Sequence, residues 1–424
     1  MIAPYFVPRR RVGSLRPYKF VAHLKEFGWE PVVCTIEDKS ESLTDTEQQI
    51  LKGIEIFKVT PPFDRTANSS GTENNGDNNE LLSDLTKSLA EWFDRQVPMD
   101  TWFFLFRSSY GKILARAKDA NPDIIWSTGD PWSGHWVGQK LARDLKKPWI
   151  ADFRDPWTLS GLNLRKRSRF SSWADQKLEK KYVTLADKLI FTSRSTEHLY
   201  REHYRLKQEK TSTIYNSYHL SDSVGSSGME WDRELSENLF NILFFGSFRR
   251  LSPVMPIARS VAKMEWETRR KIRIHSFGPL HKTDNKVLEK VGIRDLFVIH
   301  KKVLPEQSQS VFKKADLLLV STSNERKTII PAKLWDYLSS AKPILSITPN
   351  PEVGEILEKT GAGVHFSNHQ EREIAEWLSA SVLKKMKAKS LVNADHSEAI
   401  EQYSSRNATR QLAQIMNELA SHEL

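Results

Sequence analysis

The 424-residue sequence holds one cysteine, Cys34, and no long apolar run. A lone cysteine closes no internal disulfide, builds no multi-cysteine zinc site and completes no CxxC redox pair, which leaves it as buried filler. The apolar patch at 102–106 is five residues long, against the roughly 18 that a membrane-spanning helix needs. A signal peptide would place basic residues before its apolar stretch, whereas here 1–8 is apolar and Arg9, Arg10 and Arg11 follow it. A cytoplasmic protein is expected, with peripheral contact at the inner face of a membrane open to it. No dinucleotide fingerprint or P-loop is present. No helix-turn-helix spacing, zinc knuckle or aromatic RNP-type strand occurs either, which reduces sequence-specific nucleic-acid binding to a minor reading.

What is present is enough to fold. Hydrophobic residues are 39% and charged residues 27%, with 13 Trp and 20 Phe, which excludes wholesale disorder. At about 100–200 residues per domain, two large domains are expected. Lys plus Arg is 63 against 53 Asp plus Glu, a net charge of +10. Arg9, Arg10, Arg11, Arg16 and Lys19 all precede the first acid, Glu26, and Arg165, Lys166, Arg167 and Arg169 lie between Asp155 and Asp175. These clusters are either solvated loops or a surface for an anionic partner: nucleic acid, a membrane face or a phosphorylated small molecule.

Short apolar runs alternate with amphipathic helical stretches, the pattern of βα units and of a parallel sheet covered on both faces. Strands are expected near 2–6, 31–35, 54–59, 124–127, 149–152, 188–192 and 212–215, then near 242–245, 272–277, 297–300, 317–320, 343–347 and 363–366. Two such sets predict an α/β protein of two Rossmann-like domains, 1–220 and 239–404, joined by a linker at 221–238 with Gly225, Ser226, Ser227 and Gly228 in it. The Asn- and Ser-rich stretch 64–80 reads as a loop inside the first domain. A last helix near 405–419 carries Ala408, Leu412, Ile415, Met416 and Leu419 at helical spacing, a stripe that must pack on something.

Ligands of open α/β sheets gather beyond the carboxyl ends of strands, so the residues following each strand carry most weight. After the first strand come Gly13, Ser14 and Arg16, then a helix expected from about Pro17. After the 124–127 strand comes Ser-Thr-Gly-Asp-Pro-Trp-Ser-Gly-His135, and after the 149–152 strand comes Asp152-Phe-Arg154-Asp155-Pro-Trp. Taken singly, His135 is a helix-start hydrogen-bonder or a catalyst, and Asp152 to Asp155 an ion pair or a proton acceptor. Side by side they point to one reaction centre. In the second half, Gly246 precedes Arg249 and Arg250, cations suited to phosphate. Ile330-Pro-Ala-Lys333-Leu-Trp-Asp336 opens a helix with Lys333 and Asp336 one turn apart. That pair is either a surface salt bridge or a diphosphate-binding cation beside a ribose-binding acid.

The order Pro-x4-Val-Gly-Ser-Leu-Arg-Pro, Ser-Thr-Gly-Asp-Pro-x-Ser-x-His, Asp-Phe-Arg-Asp-Pro-Trp, Ile-Tyr-Asn and Ile-Pro-Ala-Lys-Leu-x-Asp-Tyr-Leu resembles the GT-B glycosyltransferases of the family 4 type, in the bacterial group that builds surface polysaccharides. The resemblance runs from Met1 to about Leu419. It implies two Rossmann-like domains with parallel sheets facing a cleft, an acceptor-side first domain, a donor nucleotide-sugar site mostly in the second, and a final helix, 405–424, crossing back onto the first. It also implies retention and no metal or cofactor, with a nucleotide diphosphate sugar as donor substrate and a lipid-linked or growing glycan as acceptor. Gly13 would lie near the donor phosphates, and His135, Asp152, Arg154 and Asp155 would line the reaction centre. Arg249 or Arg250 and Lys333 would hold the diphosphate and Asp336 the ribose, with Gly246 and Ile330 also among the donor-binding residues. Two positions depart from the pattern. Thr328 stands where the family's E-x7-E motif has its first glutamate, with Asp336 at the second, and Asn216-Ser-Tyr-His replaces Asn-Gly-x-Asp. The chain also begins almost inside strand one, which an upstream start codon would explain. Rival readings are a nucleotide-sugar 2-epimerase and a non-catalytic nucleotide-sugar or partner binder.

Overall fold

The structure, a computed structural model, describes residues 1–9, 12–61, 92–159, 167–218, 235–303, 307–387 and 397–421. The chain divides into two compact units, Met1–Tyr215 with Ser405–Leu424, and Asn216–Ser404. Most of the expected linker, and all of the expected loop at 64–80, lie outside the described residues.

The first unit carries β1 (Val32–Ile36), β2 (Glu55–Val59), β3 (Ile125–Gly129), β4 (Trp149–Phe153), β5 (Lys188–Phe191) and β6 (Thr211–Thr213). Its helices are α1 (Val12–Leu24), α2 (Asp45–Ile50), α3 (Trp102–Ala120), α4 (Ser133–Leu145), α5 (Arg169–Leu185) and α6 (Arg194–Tyr204). All its strand pairs are parallel, β1 with β2 and β3-β4-β5-β6 in order. The expected strand at 2–6 is only a bridge: Ile2 pairs with Cys34 on one side and Ser127 on the other. Pro4, which has no N–H, stops the ladder from lengthening there. Residues 1–4 still join β1 to β3 through Ile2 N–H to Trp126 (2.7 Å), Ala3 N–H to Cys34 (2.9 Å) and Thr128 N–H to Ile2 (3.1 Å). β3 and β4 are buried at every position, as parallel strands covered on both faces require. Cys34 is buried, and burial pushes its thiol up to about 12.

The second unit holds β7 (Phe240–Phe244), β8 (Ile272–Phe277), β9 (Phe297–His300), β10 (Leu317–Ser321), β11 (Ile344–Ile347) and β12 (Gly363–Phe366) in one parallel sheet, ordered β12-β11-β10-β7-β8-β9. Renumbered from its own first strand this is 3-2-1-4-5-6, the dinucleotide-binding order whose switch point lies between β7 and β10. Its helices are α7 (Met255–Ala262), α8 (Trp266–Arg269), α9 (Lys282–Lys290), α10 (Ser308–Lys313), α11 (Lys333–Leu338), α12 (Pro351–Thr360), α13 (Glu371–Met386) and α14 (Ser397–Glu401). Both units are thus Rossmann-like α/β folds.

The last helix, α15 (Ser405–Ser421), belongs to the first unit. Ala408, Leu412, Ile415 and Met416 are buried in one cluster with Phe20, Val21, Leu24, Trp126 and Ile214. Trp29 donates to Asn417 (2.9 Å) and Arg406 pairs with Glu26 (2.6 Å), fixing the helix along α1. No described helix is long and apolar enough to cross a membrane.

Candidate active site

In the first unit the helix expected from Pro17 begins five residues earlier, at Val12, with Pro17 inside it. The early start turns Arg16 into the interior. Its guanidinium grips Asp152 with Nη2 at 2.8 Å and Nε at 3.0 and 3.1 Å, and gives Nη1 to the Tyr215 carbonyl at 3.1 Å. Thr128 Oγ1 donates to the same carboxylate at 2.9 Å. Asp152 is fully buried, so its charge is held by Arg16. Arg9 is likewise buried, paired with Asp38 at 2.7 Å and lying over the Tyr5 ring. The first basic cluster is therefore no solvent-facing patch at Arg9 or Arg16, because each has an acid partner inside the unit. Arg10 and Arg11 lie outside the described residues, as do Arg165 and Lys166.

Arg154 leaves the end of β4 and donates from Nε to the Gly129 carbonyl at 2.8 Å and from Nη2 to the Asp130 carbonyl. A Cβ on Gly13 would stand 2.1 Å from Arg154 Nη1, so only glycine lets α1 come this close to the guanidinium. Asp155, the next acid, is exposed. His135 sits fully buried in the first turn of α4, its ring stacked on Phe153 at 4.7 Å. Nδ1 meets Ser127 Oγ at 2.9 Å, while Trp149 Nε1 donates to that oxygen at 2.8 Å. The tautomer that uses the Ser127 proton on Nδ1 leaves the imidazole proton on Nε2. Nε2 has no hydrogen-bond partner among the described residues, and it borders Gly129. Burial and then the Arg154 charge push the imidazole down to about 3, so it is neutral at physiological pH. Ser14 Oγ is another buried polar atom with no hydrogen-bond partner among the described residues.

Two buried acids that sequence reasoning did not single out hold these loops. Asp100 accepts from Ser133 N–H (2.8 Å), Ser133 Oγ (2.7 Å) and Trp102 N–H (3.0 Å), fixing the start of α4. Burial raises its carboxyl to about 6. Glu179 on α5 accepts from Thr158 N–H (3.2 Å), Tyr204 (3.0 Å) and Tyr200, and Tyr200 accepts from Trp157 N–H at 2.8 Å. Burial pushes its carboxyl up as well. No local pattern marks either acid, since apart from Trp102 beside Asp100 their partners lie 21 to 33 residues away.

In the second unit the chain leaves β7 through Gly246, whose φ of 109° favours glycine. A Cβ there would lie 3.3 Å from Lys333 Nζ, so loop and lysine touch. Lys333 is the first residue of α11, its Nζ 3.6 Å above the Phe244 ring. No carboxylate pairs with it among the described residues. Burial, with Arg249 and Arg326 nearby, drags its ammonium down to about 7. Arg326 is the cation that sequence reasoning missed, because the loop after β10 carries no phosphate-binding pattern. Arg249 is exposed and Ile330 buried. Arg250 is drawn off to Glu325 in an exposed ion pair. Asp336 is exposed, and Lys333 faces Phe244 rather than it, which disposes of the salt-bridge alternative. The His275–His300 pair, 2.9 Å apart, is closed inside this unit: both ring nitrogens of His275 are taken, Nδ1 by His300 and Nε2 by Asn241. It offers no proton-transfer site to a substrate. Among the described residues no cluster of His, Cys, Asp and Glu is arranged to hold a metal ion.

The order of loops thus brings His135, Arg154 and Gly13 together in one unit and Gly246, Arg249, Arg326 and Lys333 together in the other. Residues 82–222 match the family model of Glycosyltransferase Family 4. No curated protein sequence matches the chain. Its fold matches a glycosyltransferase from Rickettsia africae ESF-5 (12% identity, 98% of this chain and 97% of that one, TM-score 0.64). It also matches Anabaena HepE in complex with UDP and glucose (12% identity, 99% and 100%, TM-score 0.63). A third likeness is to the lipopolysaccharide outer core galactosyltransferase WaaB (11% identity, 100% and 99%, TM-score 0.60).

Proposed function

We propose that this chain, whose fold is GT-B, is a glycosyltransferase of the family 4 type that moves a hexose from a nucleotide diphosphate sugar, with retention and without metal, to a lipid-linked or growing polysaccharide acceptor. The observation that carries the reading is Lys333. A half-buried ammonium with no carboxylate partner among the described residues, flanked by Arg249 and Arg326 beside the backbone of Gly246, is a site waiting for an anion. Transfer breaks the bond between the anomeric carbon and a diphosphate oxygen, and the departing diphosphate gains charge as it leaves. Fixed cations at that oxygen are the largest expected contribution to rate. Lys333, Arg249 and Arg326 take this role, with Arg250 committed to Glu325.

In the first unit, His135 offers an Nε2 proton to a sugar hydroxyl, and Arg154 adds a further cation beside Gly13. Asp152 holds Arg16 and is a positioning residue. The UDP and glucose bound by HepE, and the galactosyl transfer named for WaaB, support a hexose donor and a cell-envelope acceptor. A lipid-linked acceptor would bring the protein to the inner, anionic face of the membrane. Thermal unfolding against UDP, GDP, ADP and CMP, with and without magnesium, tests the reading. A ligand at 100 times its dissociation constant adds about 2.7 kcal/mol. A metal-independent shift with one nucleoside diphosphate is expected. No shift with any of them overturns donor binding, and a binder without transfer becomes the better account.

A further inference from the structure

Large exposed aromatics in one place signal a surface that something covers. Trp92, Phe93, Phe104, Phe170 and Trp173 are 59%, 43%, 51%, 64% and 57% exposed. They form two pairs, Phe93 stacked on Phe104 with centroids 6.3 Å apart and Phe170 against Trp173 at 6.2 Å. Hydrogen bonds to backbone carbonyls tie together the segments that carry the two pairs. Ser168 N–H donates to the Arg95 carbonyl (3.0 Å), Ser171 Oγ to the Gln96 carbonyl (2.5 Å) and Arg167 to the Val97 carbonyl (2.6 Å). The start of α3 and the start of α5 therefore share one outer face of the first unit.

The exposed charge along α5 has one sign. The acids of α5, Asp175 and Glu179, are both buried: Asp175 takes Arg167 (2.8 Å) and Met99 N–H (2.6 Å), and Glu179 takes the tyrosines described above. What remains outside on α5 is Arg169, Lys177, Lys180 and Lys181. Phe170, Trp173, Lys177 and Lys180 follow one another at three- and four-residue spacing, so rings and ammonium groups lie on the same stripe. On α3, Arg107 and Lys112 are the exposed charges nearest Phe104. Rings at one end of a helix face and lysines along the rest match an anionic bilayer surface, where aromatics settle at headgroup depth and ammonium groups meet phosphates.

We propose that the α3–α5 face docks on an anionic phospholipid surface, with Phe104, Phe170 and Trp173 entering the headgroup layer and Lys177, Lys180 and Lys181 pairing with lipid phosphates. This deepens the membrane part of the reading above, and places the contact away from Arg9 and Arg16. It does not depend on donor binding.

Co-sedimentation of the full chain with vesicles of phosphatidylglycerol and phosphatidylcholine, against phosphatidylcholine alone, tests it. Binding to the anionic vesicles only, weakening with salt, is expected. Lys177→Gln with Lys180→Gln and Lys181→Gln weakens it by on the order of a hundredfold, from about fivefold per lysine. Phe170→Ser with Trp173→Ser weakens it while leaving the salt dependence in place. A nucleotide-induced thermal shift retained in both variants shows that each is folded. No preference of the wild-type chain for anionic vesicles overturns the proposal, as does equal binding by folded variants. Wild-type self-association that the ring variant abolishes, without vesicle binding, assigns the face to a second copy instead. Vesicle binding without any nucleotide shift in the wild type sinks donor binding and leaves this proposal standing.

Discussion

Lys333 shows how much one residue's surroundings alter its chemistry. A free lysine ionises near 10.4, and here burial and two arginines bring the group to about 7. Because the folded value is depressed, the contribution to stability is whole above the unfolded value and is lost as pH falls through about 7. A bound diphosphate restores the ammonium, so nucleotide binding near pH 8 is expected to take up protons. Calorimetry in buffers of different ionisation enthalpy reads the number directly, and Lys333→Ala should bring it toward zero. The same variant is expected to lose roughly 10²- to 10³-fold in turnover with an unchanged or raised melting temperature. Wild-type turnover in that variant would remove Lys333 from the mechanism. Gly13 is tested by a cycle: Gly13→Ala displaces Arg154, so its effect on kcat/KM should largely vanish in an Arg154→Ala background. Additive losses would show that the two do not act together.

At the scale of the element, the first turn of α4 carries two opposed pH effects. Asp100, raised to about 6, contributes stability that is whole below the unfolded value and is lost as pH rises through about 6. His135, lowered to about 3, contributes stability that is whole above about 6.5 and drains as pH falls toward about 3. Urea unfolding between neutral pH and pH 4 separates them. Asp100→Asn should stabilise the chain less, or not at all, on mild acidification, and His135→Gln should flatten the loss at the acid end. Identical profiles in wild type and His135→Gln would mean that the buried imidazole does not titrate on unfolding.

At the scale of the whole molecule, α15 closes the core of the first unit from the far end of the sequence. Leu412 is fully buried there, so Leu412→Ala is expected to cost about 2–5 kcal/mol. Denaturant unfolding measures it, and a loss within the noise would mean that the helix is not part of the cooperative core. Much of this architecture was legible. Runs such as 124–127, 149–152 and 317–320 have the apolar continuity of parallel strands buried on both faces, and the stripe at Ala408, Leu412, Ile415 and Met416 announces a helix with one covered face. The strand at 2–6 was less so, because apolar pattern does not register the N–H that Pro4 lacks.

The sequence by itself determined the class: two α/β units, strand after strand, with the chemically unusual loops at the strands' carboxyl ends. Those features come from short-range periodicity and need no partner. Which charges are spent and which are free was decided by tertiary structure alone. Arg9 meets Asp38, Arg16 meets Asp152 across 136 residues, and Arg250 meets Glu325, while Lys333 keeps company with a ring and two arginines. A charge's role depends on what lies within a few ångströms, and separation along the chain carries no record of that distance.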